Sequence, residues 1–148
     1  MLNRPAKGIG EGLVFHELAN NPPYILISKS HPLAQKEYVT LEDLRRAPFI
    51  QSNGHSFFIS EFFAACAEAG FYPNIMASWP YYSAVMATVA DGSGYTLGGN
   101  FVSVPYEEDI TRVRLEHRSF RHVVGFAVNP ENPKIKEIES YIRAVKAL

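Results

Sequence analysis

Apolar residues occur in short runs and in helical spacings, and this pattern predicts most of the secondary structure. Residues 24–28 are a short apolar run, typical of a strand that is buried on both faces, and residues 49–51 are predicted to be a short central strand. Between residues 56 and 69, apolar side chains recur at i, i+3, i+4 and i+7, which predicts an amphipathic helix. Gly70 is placed to end that helix. The apolar stripe consists of Ile59, Phe62, Phe63 and Cys66.

The same alternation of strand and helix continues downstream. Residues 73–77 are a predicted strand, and a polar and aromatic loop follows it. Ser83 is placed to cap a helix that runs to Ala90. A further strand is expected at residues 95–97. The order from residue 49 to residue 97 is therefore β-α-β-α-β, which is typical of a parallel, doubly wound sheet.

The stretch from His31 to Ile50 carries the densest local signals. Thr40 and Asp43 have the spacing of a capping box, which predicts a short helical turn after Thr40. Pro48 favours an extended conformation for the residue before it and precedes a predicted buried strand. We interpret this stretch as the crossing from one lobe of the molecule into another.

The two ends of the chain have weaker patterns. Residues 1–12 contain one proline and three glycines without periodicity, so we expect a loop and a truncated start. Residues 13–18 and 122–128 are predicted strands. A long amphipathic helix should begin with Asn132 as N-cap and Pro133 at its first position. Its apolar stripe consists of Ile135, Ile138, Ile142 and Val145.

Composition indicates one globular domain, or two small lobes, with a net charge close to zero. The 148 residues carry 14 basic and 15 acidic side chains, so we do not expect this chain alone to bind a phosphate backbone. Cys66 is the only cysteine, which excludes an internal disulfide and favours a reduced, cytoplasmic setting. Because no apolar run reaches the roughly 18 to 20 residues that span a bilayer, no membrane contact is expected.

Motifs for catalysis or metal binding are incomplete. Residues 54–56 resemble the start of a nucleophile elbow, but Phe58 replaces its last glycine. Residues 92–94 have two glycines of a dinucleotide fingerprint, yet the third is missing and a helix precedes them. The 5 histidines are scattered without the spacing of metal ligands. We therefore expect no catalytic residue, no metal and no cofactor.

Three blocks of the sequence resemble the effector-binding domain of LysR-type transcriptional regulators. They are residues 24–34, an apolar strand running into HPLA, residues 39–50, VTLEDLRRAPFI, and residues 85–98, VMATVADGSGYTLG. The third block keeps the glycines that follow the helix, but Gly98 and Gly99 stand where the family usually has a proline. The resemblance extends over roughly residues 13–148.

This resemblance implies an α/β, periplasmic-binding-protein-like (type 2) fold of two lobes. It assigns residues 1–28 to an incomplete first lobe, residues 29–104 to a complete second lobe, and residues 105–148 to a return to the first lobe with the closing helix. The winged helix-turn-helix of the family is absent from the sequence, so DNA would be bound only through a domain outside this chain. Unpaired strand edges of the partial lobe favour a homodimer or a higher oligomer.

The resemblance also implies that the chain senses a small anionic organic effector, such as a carboxylate, in a cleft between the lobes. Ligands of open α/β sheets bind beyond the carboxyl ends of the strands, and the N-terminus of the helix after Ser56 would favour a carboxylate there. The candidate ligand-binding residues are Gln51, Ser52, Asn53, Trp79, Tyr81, Ser83 and Asn100.

Plainer interpretations remain open for several of these residues. Polar residues after a strand are often only a solvated turn, and Tyr82 is expected to pack the edge of the lobe. Gly99 and Asn100 suit a hinge better than a ligand contact. For the whole chain, two alternatives stay open: an enzyme fragment on a similar two-lobe scaffold, such as a phosphoribosyl transferase or a dehydratase, and a dimerisation module that senses nothing.

Overall fold

A computed structural model of the protein describes residues 2–3, 9–53, 57–99 and 103–147. The strands in these ranges are β1 (Leu2–Asn3), β2 (Val14–Asn21), β3 (Tyr24–Ser28), β4 (Tyr38–Val39), β5 (Pro48–Ser52), β6 (Asn74–Trp79), β7 (Tyr95–Gly98), β8 (Ile110–Leu115) and β9 (His122–Val128). The α-helices are α1 (Leu41–Leu44), α2 (Phe57–Glu68), α3 (Tyr82–Ala90) and α4 (Ile135–Lys146). A 3₁₀ helix covers Pro32–Gln35.

The strands form two sheets. One has six strands in the order β4-β8-β3-β7-β5-β6, and the other has three in the order β1-β9-β2. In the larger sheet β5 pairs in parallel with both β6 and β7, which confirms the predicted parallel β-α-β-α-β arrangement. β3 runs antiparallel to β7 and β8, so the sheet is mixed. The predicted α/β class is confirmed.

The six-stranded sheet extends beyond the predicted boundaries of the second lobe, which fall after residues 28 and 104. In β3, Ile25 lies opposite Leu97 of β7 on one side and opposite Val113 of β8 on the other. β3 and β8 therefore share a sheet with the strands of the expected second lobe. The physical reason is that the apolar β3, which is buried on both faces, needs a neighbouring strand on each edge.

The smaller sheet is joined to the larger one near the start of β9. His122, the first residue of β9, lies opposite Asn21, the last residue of β2. The Arg121 guanidinium donates to the Asn20 side-chain oxygen at 3.0 Å and to its carbonyl at 3.2 Å. These bonds attach the segment that leads into β9 to the end of β2.

Side chains of the six-stranded sheet form a separate core on each face. Toward α2 the core is aromatic: the ring of Phe49 lies 5.5 Å from that of Phe62 and 5.3 Å from that of Tyr95. Ile50, the next residue, points to the opposite face and packs with α3, as the alternation of a strand requires. Cys66 is buried in the aromatic core, and burial raises the pKa of its thiol to about 12.

Two sequence signals for helix ends are confirmed. Thr40 Oγ1 accepts from the Asp43 backbone N–H at 3.4 Å, and the Asp43 carboxylate accepts from the Thr40 N–H at 2.9 Å, which completes the capping box. The helix expected at residues 56–69 is observed as α2. Gly70 follows it with a φ of 81°, the left-handed conformation that glycine adopts readily.

Two helix caps differ from the prediction. α3 begins two residues earlier than predicted, so that Tyr81 is its N-cap and makes no side-chain capping bond, while Ser83 lies inside the first turn. α4 begins two residues after Pro133. The side chain of Asn132 accepts instead from the Lys134 N–H at 2.9 Å, closing a turn before the helix. The side chain of Asn132 thus closes a turn instead of capping α4, and the N-cap of α3 is left without a side-chain bond.

None of the helices in the described ranges is both long and apolar enough to cross a membrane.

Candidate functional site

The carboxyl ends of β5 and β7 meet at one edge of the six-stranded sheet. The two strands are parallel neighbours in which Phe49 lies opposite Tyr95. Ser52 and Gly98, which end these strands, therefore lie at the same edge, where ligands of open α/β sheets bind. His122 reaches this edge from the smaller sheet.

A cavity of about 180 Å³ lies at this edge. It is smaller than ordinary ligand pockets, which hold roughly 300 to 1,000 Å³, so only a small molecule could be enclosed. Its walls come from α2, α3, the ends of β5 and β7, and the start of β9. The lining residues are Ser52, Phe58, Ile59, Tyr82, Val85, Thr96, Leu97, Gly98, Gly99 and His122.

Aromatic side chains form two of the walls. The ring of Phe58 lies 4.5 Å from the imidazole of His122 and stacks on Phe120 at 5.0 Å. Tyr82 stands on the α3 side and keeps 40% of its surface exposed. Burial of its hydroxyl raises the pKa of Tyr82, against the smaller opposing effect of the Arg112 guanidinium, so the phenol stays neutral. Two such walls suit a flat or cyclic apolar group.

His122 is the most deeply buried titratable group that lines the cavity. Only 5% of the residue is exposed, and Nδ1 has no hydrogen-bond partner among the residues that the structure describes. Burial lowers the pKa of His122 from its ordinary value of 6.5, so the imidazole is neutral at pH 7. Gly99 packs directly against the ring, and any side chain at that position would overlap it.

The three predicted residues after β5 separate into two groups. Ser52 lines the cavity. Gln51 and Asn53 instead form an exposed network with Ser78: Gln51 Nε2 donates to Ser78 Oγ at 3.2 Å, and Ser78 Oγ donates to Asn53 Oδ1. Gln51 points away from Ser52 because successive side chains of a strand alternate between its faces.

The predicted site residues that follow β6 do not line the cavity. Trp79 pairs with Ser52 in the sheet but its side chain is exposed, and Ser83 is also exposed. Tyr81 is 72% exposed. Its neighbour Tyr82, which was expected only to pack, lines the cavity. Asn100 lies outside the described residues.

Comparison with known proteins identifies the family. The model of the LysR substrate binding domain matches residues 4–148. The chain belongs to this family. The predicted resemblance is therefore confirmed over nearly the whole chain.

A curated relative of this LysR domain is the HTH-type transcriptional regulator AlsR of Bacillus subtilis (strain 168). The two are 30% identical over 125 residues, which is 81% of this chain. The chain spans only 41% of the length of AlsR. The match therefore concerns one part of a longer regulator.

Solved structures show the same fold. The effector-binding domain of BenM with its effector benzoate has a TM-score of 0.78 at 20% identity, and the match covers 94% of this chain and 65% of that one. The effector-binding domain of QuiR in complex with shikimate has a TM-score of 0.75 at 16% identity, covering 92% and 66%. These likenesses confirm the periplasmic-binding-protein-like fold of the LysR domain.

Of the residues that line the cavity of the LysR domain, only Ser52 was a predicted ligand contact; Phe58, Thr96 and His122 are among those that sequence patterns missed. Thr96 had a detectable signal, because it is a polar residue inside the apolar run of β7 and is buried there. Phe58 belongs to the aromatic side of α2, where a core role is the simpler interpretation. His122 opens a strand of the other sheet, and local sequence does not place it beside β7.

The cavity of this LysR domain has no acidic lining side chain among the described residues. α2 and α3 both begin near it, and neither has an acidic residue in its first turn. The amino end of a helix carries a partial positive charge from its free N–H groups. The starts of α2 and α3 therefore place partial positive charge near this edge of the sheet. In the described part of the chain, no three His, Cys, Asp or Glu side chains are grouped to hold a metal ion.

Proposed function

We propose that this LysR domain is an effector-sensing module that binds a small organic carboxylate in the cavity at the end of β5 and β7. The observation that carries the proposal is the mixed origin of the walls. Ser52 and Thr96 come from the six-stranded sheet and His122 from the three-stranded one. A ligand touching both sheets would bind their closed arrangement more tightly than an open one, and this difference is what shifts a conformational equilibrium.

Carboxylate chemistry is supported by the surroundings of the cavity. Helix starts without acidic residues, and hydroxyl and imidazole groups on the lining, can donate hydrogen bonds to an anion. The aromatic walls, Phe58 and Tyr82, suit a ring. Benzoate and shikimate, the ligands named for BenM and QuiR, are both cyclic carboxylates.

We assign the three-stranded sheet and α4 to a first lobe that is incomplete in this chain, and the six-stranded sheet with α1, α2 and α3 to the second. In this proposal the domain acts in the cytoplasm by binding, without catalysis. DNA is contacted through a winged helix-turn-helix domain outside residues 1–148.

A homodimer is part of the proposal. Between β9 and α4 lies an open hollow of about 540 Å³ whose walls are largely apolar. Tyr141 borders it with 62% of its surface exposed, and its ring lies 6.0 Å from that of Phe126. Exposed apolar surface of this kind marks association sites, and a second copy of the domain would cover it. The same observation favours the second candidate, a module that only dimerises.

Binding is tested by thermal unfolding and calorimetry with benzoate, shikimate and succinate. We expect at least one of the cyclic acids to raise the melting temperature saturably. Tyr82→Ala removes one wall and should weaken that binding by about 3- to 10-fold. Tyr81→Ala is the matched control, since this neighbouring tyrosine does not line the cavity, and it should bind as wild type does.

The outcomes separate the candidate functions. If none of the three acids changes the melting temperature, the sensing function is contradicted for this class, and a dimer seen by sedimentation would support the module that only dimerises. If a bound acid is chemically converted, which NMR spectra of the ligand would show, the enzyme alternative replaces the proposal.

A further inference from the structure

Among the described residues that line the cavity, His122 is the one that can become a cation near neutral pH. The other polar side chains there, Ser52, Thr96 and Tyr82, carry hydroxyl groups that are neutral in this range. A carboxylate that leaves water requires a compensating charge or several hydrogen bonds. The imidazole of His122 is therefore the lining group that can supply this charge.

We propose that His122 binds the carboxylate of the effector directly and takes up one proton from solvent when the effector binds. The inference rests on the proposed function and deepens it, because it names the group that recognises the anion. In this proposal His122, on the three-stranded sheet, forms the ion pair with the ligand. The other polar contacts of the ligand, Ser52 and Thr96, lie on the six-stranded sheet. The ion pair would thus link the two sheets.

The position of the ring supports this role. The imidazole sits between Phe58, whose ring is 4.5 Å away, and Gly99, which leaves space for it by having no side chain. Buried polar groups are nearly always hydrogen-bonded, and each unpaired one reduces stability. The Nδ1 atom of this buried imidazole has no partner in the described part of the chain, so a hydrogen bond to a ligand would satisfy it.

Few other charges can influence His122. The titratable and charged groups on the elements around it are Tyr82, Tyr95, Cys66, Glu61, Glu68, Arg112, Arg121, His16 and Glu17. Of these only Tyr82 lines the cavity, and its phenol stays neutral because burial raises its pKa. Arg121 is engaged with Asn20. Protonation of the imidazole therefore depends chiefly on its burial and on the charge of the ligand.

The direction of the pH dependence follows. Burial keeps the pKa of His122 below 6.5 in the free protein, and a neighbouring carboxylate would raise it. The protonated form binds the anion more tightly, so affinity should increase as the pH falls through this region. It should level off once the free protein is protonated, and weaken only near pH ~4, where carboxylates themselves become protonated.

The test is isothermal titration calorimetry of the whole chain with benzoate and shikimate as probes. Titrations between pH 6 and 8, in two buffers with different ionisation enthalpies, measure affinity and proton uptake together. Wild type should take up a proton and bind more tightly at lower pH. His122→Leu should bind about 10- to 100-fold more weakly, without proton uptake and with a melting temperature no lower than that of wild type. His16→Leu, on β2, is the control histidine and should retain both properties.

Two amide variants test the role even if His122→Leu fails to fold. His122→Asn places a polar atom near Nδ1, and His122→Gln places one near Nε2. We expect one of them to retain part of the affinity, which identifies the bonding nitrogen. Neither can take up a proton, so proton uptake and pH dependence should disappear in both.

Two results would overturn the inference. If wild type binds a probe with the same affinity and proton uptake as the His122 variants, His122 is not the anion partner, and the proposed function stands without it. If neither probe binds wild type at any pH tested, the inference and the proposed function fall together for cyclic carboxylates.

Discussion

Gly99 lies so close to His122 that a Cβ on residue 99 would overlap the imidazole at Nδ1 and Cε1. Gly99 follows β7 of the six-stranded sheet and His122 opens β9 of the three-stranded sheet, so their contact fixes part of the geometry between the sheets. Gly99 is not among the residues with positive φ, which means that glycine is required here for space and not for its backbone conformation. The shape of the cavity therefore depends on this pair.

Gly99→Ala should destabilise the domain by about 1 to 3 kcal/mol, because the added methyl group overpacks the ring. It should also weaken benzoate binding. Urea unfolding of a double-mutant cycle with His122→Ala measures the coupling. Removal of the ring should relieve most of the cost of Gly99→Ala, whereas equal costs in both backgrounds would show that the two residues are not in contact.

Stability should depend on pH through His122. Its folded-state pKa is lowered by burial, so the unfolded chain binds more protons between that pKa and about 6.5. The free energy of unfolding should be highest above pH ~6.5 and fall as the pH is lowered through this window. His122→Leu should flatten the dependence when urea midpoints at pH 7.5 and 5.5 are compared. An unchanged slope would mean that other groups cause it.

Ser52 and Gln51 should behave differently when ligand binding is measured. Ser52→Ala removes a hydroxyl that lines the cavity and should weaken binding of a carboxylate by about 3- to 10-fold. Gln51→Ala disturbs only the exposed network with Ser78 and Asn53, so affinity should stay within about twofold of wild type. Calorimetric titrations measure the affinity of each variant for the carboxylate. A larger loss in Gln51→Ala would mean that the ligand binds outside the cavity.

The capping box after Thr40 should contribute to stability. Thr40→Ala removes the oxygen that accepts from the Asp43 N–H and should cost about 1 kcal/mol in urea unfolding. The pKa of Asp43 is lowered mainly by the hydrogen bond from Lys36, and also by the Thr40 N–H, so its contribution is present above pH 3.8 and is lost below it. Thr88→Ala, within α3, is the control and should change stability little.

Self-association should depend on the hollow between β9 and α4. Tyr141→Glu introduces a charge at its border and should convert a dimer into a monomer in sedimentation velocity experiments. Tyr72→Glu is the matched control, because Tyr72 is 80% exposed in the loop after α2. Dissociation by both variants alike would point to a general effect of charge.

Sequence signals predicted the features of the fold that depend on neighbouring residues. The Thr40 capping box, the end of α2 at Gly70 and the parallel β-α-β-α-β succession could be predicted, because each depends on nearby residues or on a regular alternation. The start of α3 could not, since Tyr81 occupies the N-cap without a capping bond and leaves no pattern.

Contacts between distant segments were beyond local patterns. The place of β3 between β7 and β8 depends on pairings across the chain, and its apolar run alone does not name its neighbours. For the same reason Ser52 was predicted at the site and His122 was not. A lone histidine at the start of a strand becomes informative only when the opposite sheet is known.

Backbone amide NMR shifts during a benzoate titration test the central claim most directly. If the cavity between the sheets binds a small carboxylate, the largest saturable shifts should occur at Ser52, Thr96, Gly99 and His122, residues from both sheets. Shifts centred on the hollow between β9 and α4, or none with benzoate or shikimate, would contradict the claim.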